Sequence, residues 1–159
     1  MGIGYVPDER LIFPDLTVRE NLEIGEKPPL TSDVAPWTVD RVYELFPTLK
    51  PLDGRPGGYL SGGEQQMLTC GRTLMGNPSL VLLDEPVEGL APVVVQEVTQ
   101  QIRHLKKMGL TILFAEQNIK FATEISDRAY VIESGRVRYE GTMTELEEQS
   151  DIKEKYLMI

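Results

Sequence analysis

The sequence predicts an α/β fold: a mostly parallel sheet with a helical subdomain inserted into it. Three observations carry that reading. Two continuous apolar runs, SLVLLD (79–84) and LTILFA (110–115), have the composition of parallel strands covered on both faces. Between them, residues 92–107 set Val95, Val98, Ile102 and Leu105 on one helical stripe, so strand, helix and strand alternate as in a right-handed crossover. The stretch 17–76 is mainly helical and reads as a subdomain inserted between strands.

Taken in order, IGYV (3–6) reads as a short buried strand that Pro7 ends. A buried strand so close to Met1 leads us to expect further chain on its N-terminal side. A helix begins near Thr17, where Glu20 completes a capping box, and Gly25 closes it. EKPPLTSDVAPW (26–37) has three prolines and no periodicity, and reads as a loop. Residues 38–46 space Val39, Val42, Leu45 and Phe46 as a helix. PTLKPLDGRPGG (47–58) reads as a second loop, and a helix over about 62–75 is stopped by Gly-Asn-Pro. Beyond the two buried strands and their crossover helix, residues 118–125 are helical. Residues 129–134 and 137–141 form strands about a Gly-Arg turn, and 143–158 make an acidic amphipathic helical tail.

Bulk properties narrow the function. With 159 residues, 41% hydrophobic and 26% charged, the chain can bury a core. A net charge of −9 argues against a nucleic-acid backbone as the main partner. Cys70 is the only cysteine, so there is no internal disulfide framework and a reducing compartment is expected. No apolar run reaches the length of a membrane span. The N-terminus lacks the basic and apolar regions of a signal peptide, and Val6 rules out a myristoylation pattern, so the cytoplasm is the expected location.

Two stretches carry chemistry. LVLLDEP (80–86) ends an apolar strand on Asp84 and Glu85. In open parallel sheets ligands bind beyond the carboxyl ends of the strands, so the pair can serve one acid holding Mg²⁺ and one orienting or deprotonating a water. The plain alternative is a strand end whose acids face solvent. In LSGGEQQ (60–66), Ser61 and Glu64 form a capping box, which by itself marks only a helix start. It leaves Gly62 and Gly63 unexplained, because glycine weakens a first turn. Bare amides at a helix N-terminus suit an anion, so Ser61, Gly62 and Gly63 are candidate phosphate donors. His104, Cys70 and Trp37 draw plain readings: a solvated helix face, a packed thiol and a local packing anchor.

LSGGEQQ, GRTLMGNPSLVLLDEP and EGLAP, in this order and spacing, resemble the nucleotide-binding subunit of an ATP-binding cassette (ABC) transporter. GYVPDERLIFPDLTVRENL, VYELFP, ILFAEQN, SDRAYVIESGRVRYEGT and EKYLMI narrow the resemblance to the ATPase subunits of branched-chain amino acid importers. It implies a partial P-loop NTPase fold. The family's phosphate loop, G-x-x-x-x-G-K-[ST], lies upstream of the segment equivalent to 3–8, and no Gly-Lys pair occurs here. Residues 1–159 are therefore expected to be the C-terminal two-thirds of a cassette. Residues 1–16 and 77–142 would form its core sheet, 17–76 its helical signature subdomain and 143–159 its tail.

The resemblance also implies roles and partners. Asp84 would hold Mg²⁺ and Glu85 would be the catalytic glutamate. Ser61, Gly62, Gly63 and Glu64 would be the signature loop, which completes the ATP site of the opposite subunit, and 87–92 the loop that crosses the dimer interface. Three positions depart from the general pattern. Asp8 stands where a metal-linked Gln is usual, Gln117 where a catalytic His is usual, and Val87 where a hydroxyl is usual. The implied cofactors are ATP and Mg²⁺. The implied partners are membrane permease subunits, a second ATPase subunit and, indirectly, a solute-binding protein, with the chain peripheral on the inner face of the membrane. Lacking the phosphate loop, residues 1–159 are expected to be inactive alone. The alternatives are a non-catalytic partner that lends its signature loop in trans, or an inert fragment.

Overall fold

The computed structural model describes residues 2–29, 35–152 and 154. Part of the expected 26–37 loop, residues 30–34, and the end of the expected tail helix lie outside them. The chain forms two compact units, residues 1–116 and 117–159.

The first unit is built on three parallel strands, β1 (Ile3–Val6), β2 (Leu80–Asp84) and β3 (Thr111–Ala115), in the order β1-β2-β3. Their register sets Tyr5 beside Leu82 and Leu82 beside Leu113. The connection from β1 to β2 carries α1 (Val18–Glu23), α2 (Val39–Leu45) and α3 (Gly62–Met75), and β2 leads to β3 through α4 (Pro92–Lys107). The helix starts are written in local chemistry. Thr17 with Glu20, and Ser61 with Glu64, make complete capping boxes, Thr38 caps α2, and Pro92 sits at the first turn of α4. The expected 47–58 loop is more ordered than its composition suggests: Pro47–Leu52 and Gly57–Tyr59 are 3₁₀ turns, a form that short proline-bordered stretches accommodate.

Among the described residues, the helices of this unit cover one face of the sheet. Val6, Val81 and Leu83 point under α3 and α4, where they meet Met67, Leu74, Val98 and Ile102 around a small apolar cavity. On the opposite face Ile3, Tyr5 and Leu113 are more than half exposed, and no residue of β3 is buried. This corrects two expectations. IGYV buries Val6 alone, and SLVLLD and LTILFA are not covered on both faces. The reason is topological: two successive right-handed crossovers that step the same way along a sheet lay their helices on the same side.

The helices of the first connection pack on α3 through Gly71, where a Cβ would stand 2.7 Å from Val42 Cγ1 and 3.1 Å from Leu22 Cδ2. Asn21, fully buried, ties down the chain entering α1. Its Oδ1 accepts from the Phe13 amide, and its Nδ2 donates to the carbonyls of Phe13, Leu16 and Thr17.

The second unit holds α5 (Ile119–Ile125), capped by Asn118, and an antiparallel hairpin of β4 (Arg128–Glu133) and β5 (Arg136–Thr142). These two strands form their own sheet, separate from β1–β3. Ser134 and Gly135 turn the hairpin with φ of 49° and 73°, the left-handed pair that a two-residue turn requires. Within its described residues the tail holds two helices, α6 (Met143–Glu148), capped by Thr142, and α7 (Ser150–Ile152). Val131, Met143 and Leu146 form this unit's core with Ala129, Tyr139 and Ile152 against them. Among the described residues, no helix is long and apolar enough to cross a membrane.

Candidate functional site

Strand β2 is the middle strand, so its carboxyl end lies between two others. There Asp84 accepts a hydrogen bond at Oδ2 from the Tyr5 hydroxyl across the strand pair, at 3.1 Å. The Tyr5 phenol is pushed up first by that bond, then by slight desolvation and by the charges of Asp84, Asp8 and Glu9. Glu85 leaves the strand with φ of 42°, a left-handed backbone rare for a residue with a Cβ. Its amide donates to the Ala115 carbonyl at the end of β3, and its own carbonyl accepts from the Glu88 amide at 3.1 Å. The turn therefore re-aims Glu85 away from the alternation of β2, at a cost of order 1–3 kcal/mol that surrounding structure must offset.

The acids gather more widely than the motif predicts. The Glu88 carboxyl is raised first by a hydrogen bond to the Glu85 carboxyl and its charge, then by slight desolvation and by the charges of Asp8 and Glu116. Asp8, in the turn after β1, thus belongs to the same acidic end of the sheet as Asp84 and Glu85. Tyr5, Glu88 and Glu116 are members that sequence reasoning missed. Register alone could have found Tyr5, because β1 must lie beside β2. Among the described residues, no group of three or more His, Cys, Asp or Glu side chains is arranged to hold a metal ion by itself.

The second motif begins α3. Glu64 Oε2 accepts from the Ser61 amide at 2.6 Å, and the Glu64 amide reaches Ser61 Oγ at 3.4 Å. The carboxylate of Glu64 is thus engaged in the cap. The two glycines, expected to admit a phosphate, already admit parts of this chain. A Cβ on Gly63 would stand 2.7 Å from Val94 Cγ1, and one on Gly62 would stand 2.7 Å from Arg10 Nη1. Arg10 also donates from Nη2 to the Glu88 carbonyl at 2.8 Å, so a single side chain touches the start of α3 and the turn that follows β2. Sequence reasoning passed over Arg10 entirely.

Gln117 follows Glu116 as the first residue of the second unit and is exposed. The three plain readings agree with the structure. His104 is exposed on α4. The Cys70 thiol lines the apolar cavity and burial pushes it up to about 12, leaving it protonated near neutral pH. Trp37 is a local anchor: its amide donates to Asn77 Oδ1, and the Arg41 guanidinium lies 4.7 Å from its ring centre. The cavity itself is lined by apolar groups under the sheet and takes no part in the acidic end.

Comparison with known proteins puts these features in one setting. The sequence profile of the ABC transporter family matches residues 1–88. The chain is 43% identical over 158 residues to a high-affinity branched-chain amino acid transport ATP-binding protein, BraG, of Pseudomonas aeruginosa. That match covers 98% of this chain and 66% of the relative. It is 40% identical to a probable branched-chain amino acid transport ATP-binding protein, LivF, of Archaeoglobus fulgidus, over 92% of this chain and 62% of the relative. It is also 35% identical to the lipopolysaccharide export system ATP-binding protein LptB of Escherichia coli K12, over 98% of this chain and 65% of the relative. The chain thus spans less than two-thirds of each of these relatives. Among solved structures, an ATP-binding cassette of an ABC transporter superposes with a TM-score of 0.76 at 30% identity, over 99% of this chain and 68% of that one.

Proposed function

We propose, from the premise that this chain belongs to the ABC transporter family, that it carries the acidic and signature halves of an ATP-hydrolysing subunit that drives import of branched-chain amino acids. The observation that carries the reading is the Asp84–Glu85 pair at the carboxyl end of the central strand, with Glu85 turned out of the strand by a left-handed backbone. A solvated strand end needs no such turn. The solute follows from BraG and LivF; the similarity to LptB makes the direction of transport the part that experiment must fix.

Each residue then has a role. Mg²⁺ keeps several waters and takes only one or two carboxylates beside the phosphates of its substrate, so a full protein cage is not required. Asp84 fits this, since Tyr5 takes only Oδ2. When bound, Mg²⁺ would neutralise phosphate charge, and Asp8 would hold one of its waters. Glu85 would orient or deprotonate the attacking water, and Gln117 would hydrogen-bond the terminal phosphate without titrating. Ser61, Gly62 and Gly63 would present the start of α3 to the nucleotide of a second ATPase subunit, with Glu64 fixing that loop rather than touching the nucleotide. The region 17–76 would meet the membrane permease on its cytoplasmic side, and a solute-binding protein would act through that permease.

Residues 1–159 contain no phosphate loop, and carboxylates alone repel ATP. We expect this polypeptide by itself to show no Mg-dependent turnover. Mixed with an intact cassette, it should raise ATPase through its signature loop, and Ser61→Arg should abolish that gain. In a cassette joining this sequence to a phosphate-loop segment, Glu85→Gln should lower kcat by about 10²–10⁴ fold. Clear turnover by residues 1–159 alone, or an unchanged kcat in Glu85→Gln, would overturn the reading.

A further inference from the structure

We infer that Arg10 is a positioning residue that clasps the signature loop to the turn carrying Glu85, and that Gly62 is glycine because the Arg10 guanidinium occupies the place of its side chain. Three chain segments far apart in sequence meet at this one group. Arg10 lies in the turn after β1, half-buried, with φ of 48°. One nitrogen, Nη2, donates to the Glu88 carbonyl at 2.8 Å and lies 3.6 Å from where a Cβ on Gly89 would be. The other, Nη1, lies 2.7 Å from where a Cβ on Gly62 would be, with Cζ at 3.5 Å. Gly89 has φ of 65° and needs to be glycine on backbone grounds alone. Gly62 has no positive φ, so its need is for space.

The geometry suits arginine. The two arms of one guanidinium reach two segments at once, Nη2 donating to the Glu88 carbonyl and Nη1 lying against Gly62, whereas a lysine ammonium is a point on a flexible stem. The position is also electrostatically uneven. A cation at the positive end of α3 opposes the helix dipole. The Glu88 carbonyl that accepts from Nη2 offsets part of this, so the guanidinium is held between the two segments rather than on the helix alone. Two features mark the contact as a device of position rather than of stability. The hydrogen bond to Glu88 is exposed, and the atom that a Gly62 side chain would meet is the movable end of Arg10. Breaking the clasp should leave the fold intact and release the 85–91 turn, whose internal bonds are Glu88 amide to Glu85 carbonyl and Leu90 amide to Val87 carbonyl.

The effect on turnover rests on the reading of Asp84 and Glu85 given above; the clasp itself does not, and the test separates the two. Hydrogen exchange of the Glu88 and Leu90 amides in the full chain should speed by about tenfold in Arg10→Ala, with α4 unchanged, and Arg10→Lys should not rescue it. Gly62→Ala should give the same release, and the double variant should be no worse than either single, because both remove one contact. In an active assembly, Arg10→Ala should lower kcat by about tenfold with KM for ATP unchanged. Unchanged exchange in Arg10→Ala, rescue by lysine, or additive effects of the two substitutions would overturn the clasp. A wild-type assembly without ATPase would sink the hydrolytic reading while leaving the exchange result to decide the clasp.

Discussion

At the scale of the residue, the polar network with the strongest consequences lies away from the acidic end. Asp53 accepts from Arg19 at 2.9 Å and from the Tyr43 hydroxyl at 2.6 Å, and its own carbonyl accepts the Arg19 amide. The Arg19 guanidinium, and then the Tyr43 hydroxyl, hold Asp53 below the usual carboxylate range. A depressed folded value gives stability that is full above the unfolded value of about 3.9 and lost as pH falls through the folded one. Tyr43 has the opposite sign. Burial and then Asp53 raise it, so its contribution is full below the unfolded value of about 10 and lost as pH rises through the folded one. Melting temperature should therefore hold level between these limits and fall at both ends. Tyr43→Phe should remove this network's alkaline fall, and Asp53→Asn should weaken both limbs. Thermal melts across the range check this; superimposable curves for wild type and Asp53→Asn would show that the network is not coupled to folding.

At the scale of the element, the sequence was most legible where local chemistry decides and least where neighbours do. The capping boxes at Thr17 and Ser61 need only the residue three positions on, and both formed as read. The parallel pairing of the apolar runs was legible from their continuity. Their covering was not, because burial depends on which way successive crossovers step, and composition carries no sign of that. The glycines answer a second demand that composition does not show. Gly62 and Gly63 read as room for a phosphate, yet their spaces hold Arg10 and Val94. Gly71, unremarked in the sequence, sets how closely α1 and α2 approach α3. Alanine there would press on Val42 and Leu22, branched side chains in a fully buried contact, and overpacking of this kind costs about 1–3 kcal/mol. The gain in helix propensity, up to about 1 kcal/mol, offsets part of it. Gly71→Ala should thus lower the urea midpoint, whereas Gly62→Ala should leave it nearly unmoved. Equal midpoints for the two would contradict the packing argument.

At the scale of the whole molecule, one property follows from the sheet's bare face. In register, Ile3 pairs with Leu80, while Tyr5 pairs with Leu82 and Leu82 with Leu113, so a largely apolar surface runs across the three strands. Ile3 is 58% exposed and Leu113 is 56% exposed, and the outer edges of β1 and β3 carry no partner strand among the described residues. A contiguous apolar patch bordered by open strand edges is where association begins. Residues 1–159 should therefore self-associate as concentration rises. The test lies in changing the face without touching the core. Ile3→Thr with Leu113→Thr puts β-branched side chains that suit a strand at both positions and replaces apolar surface with hydroxyls that water can reach. Because these side chains contribute little to the buried face, the melting temperature should stay nearly unchanged while sedimentation shifts toward monomer. A large loss of melting temperature would mean that the exposed surface supports the fold, and unchanged association would place the contact surface elsewhere on the molecule.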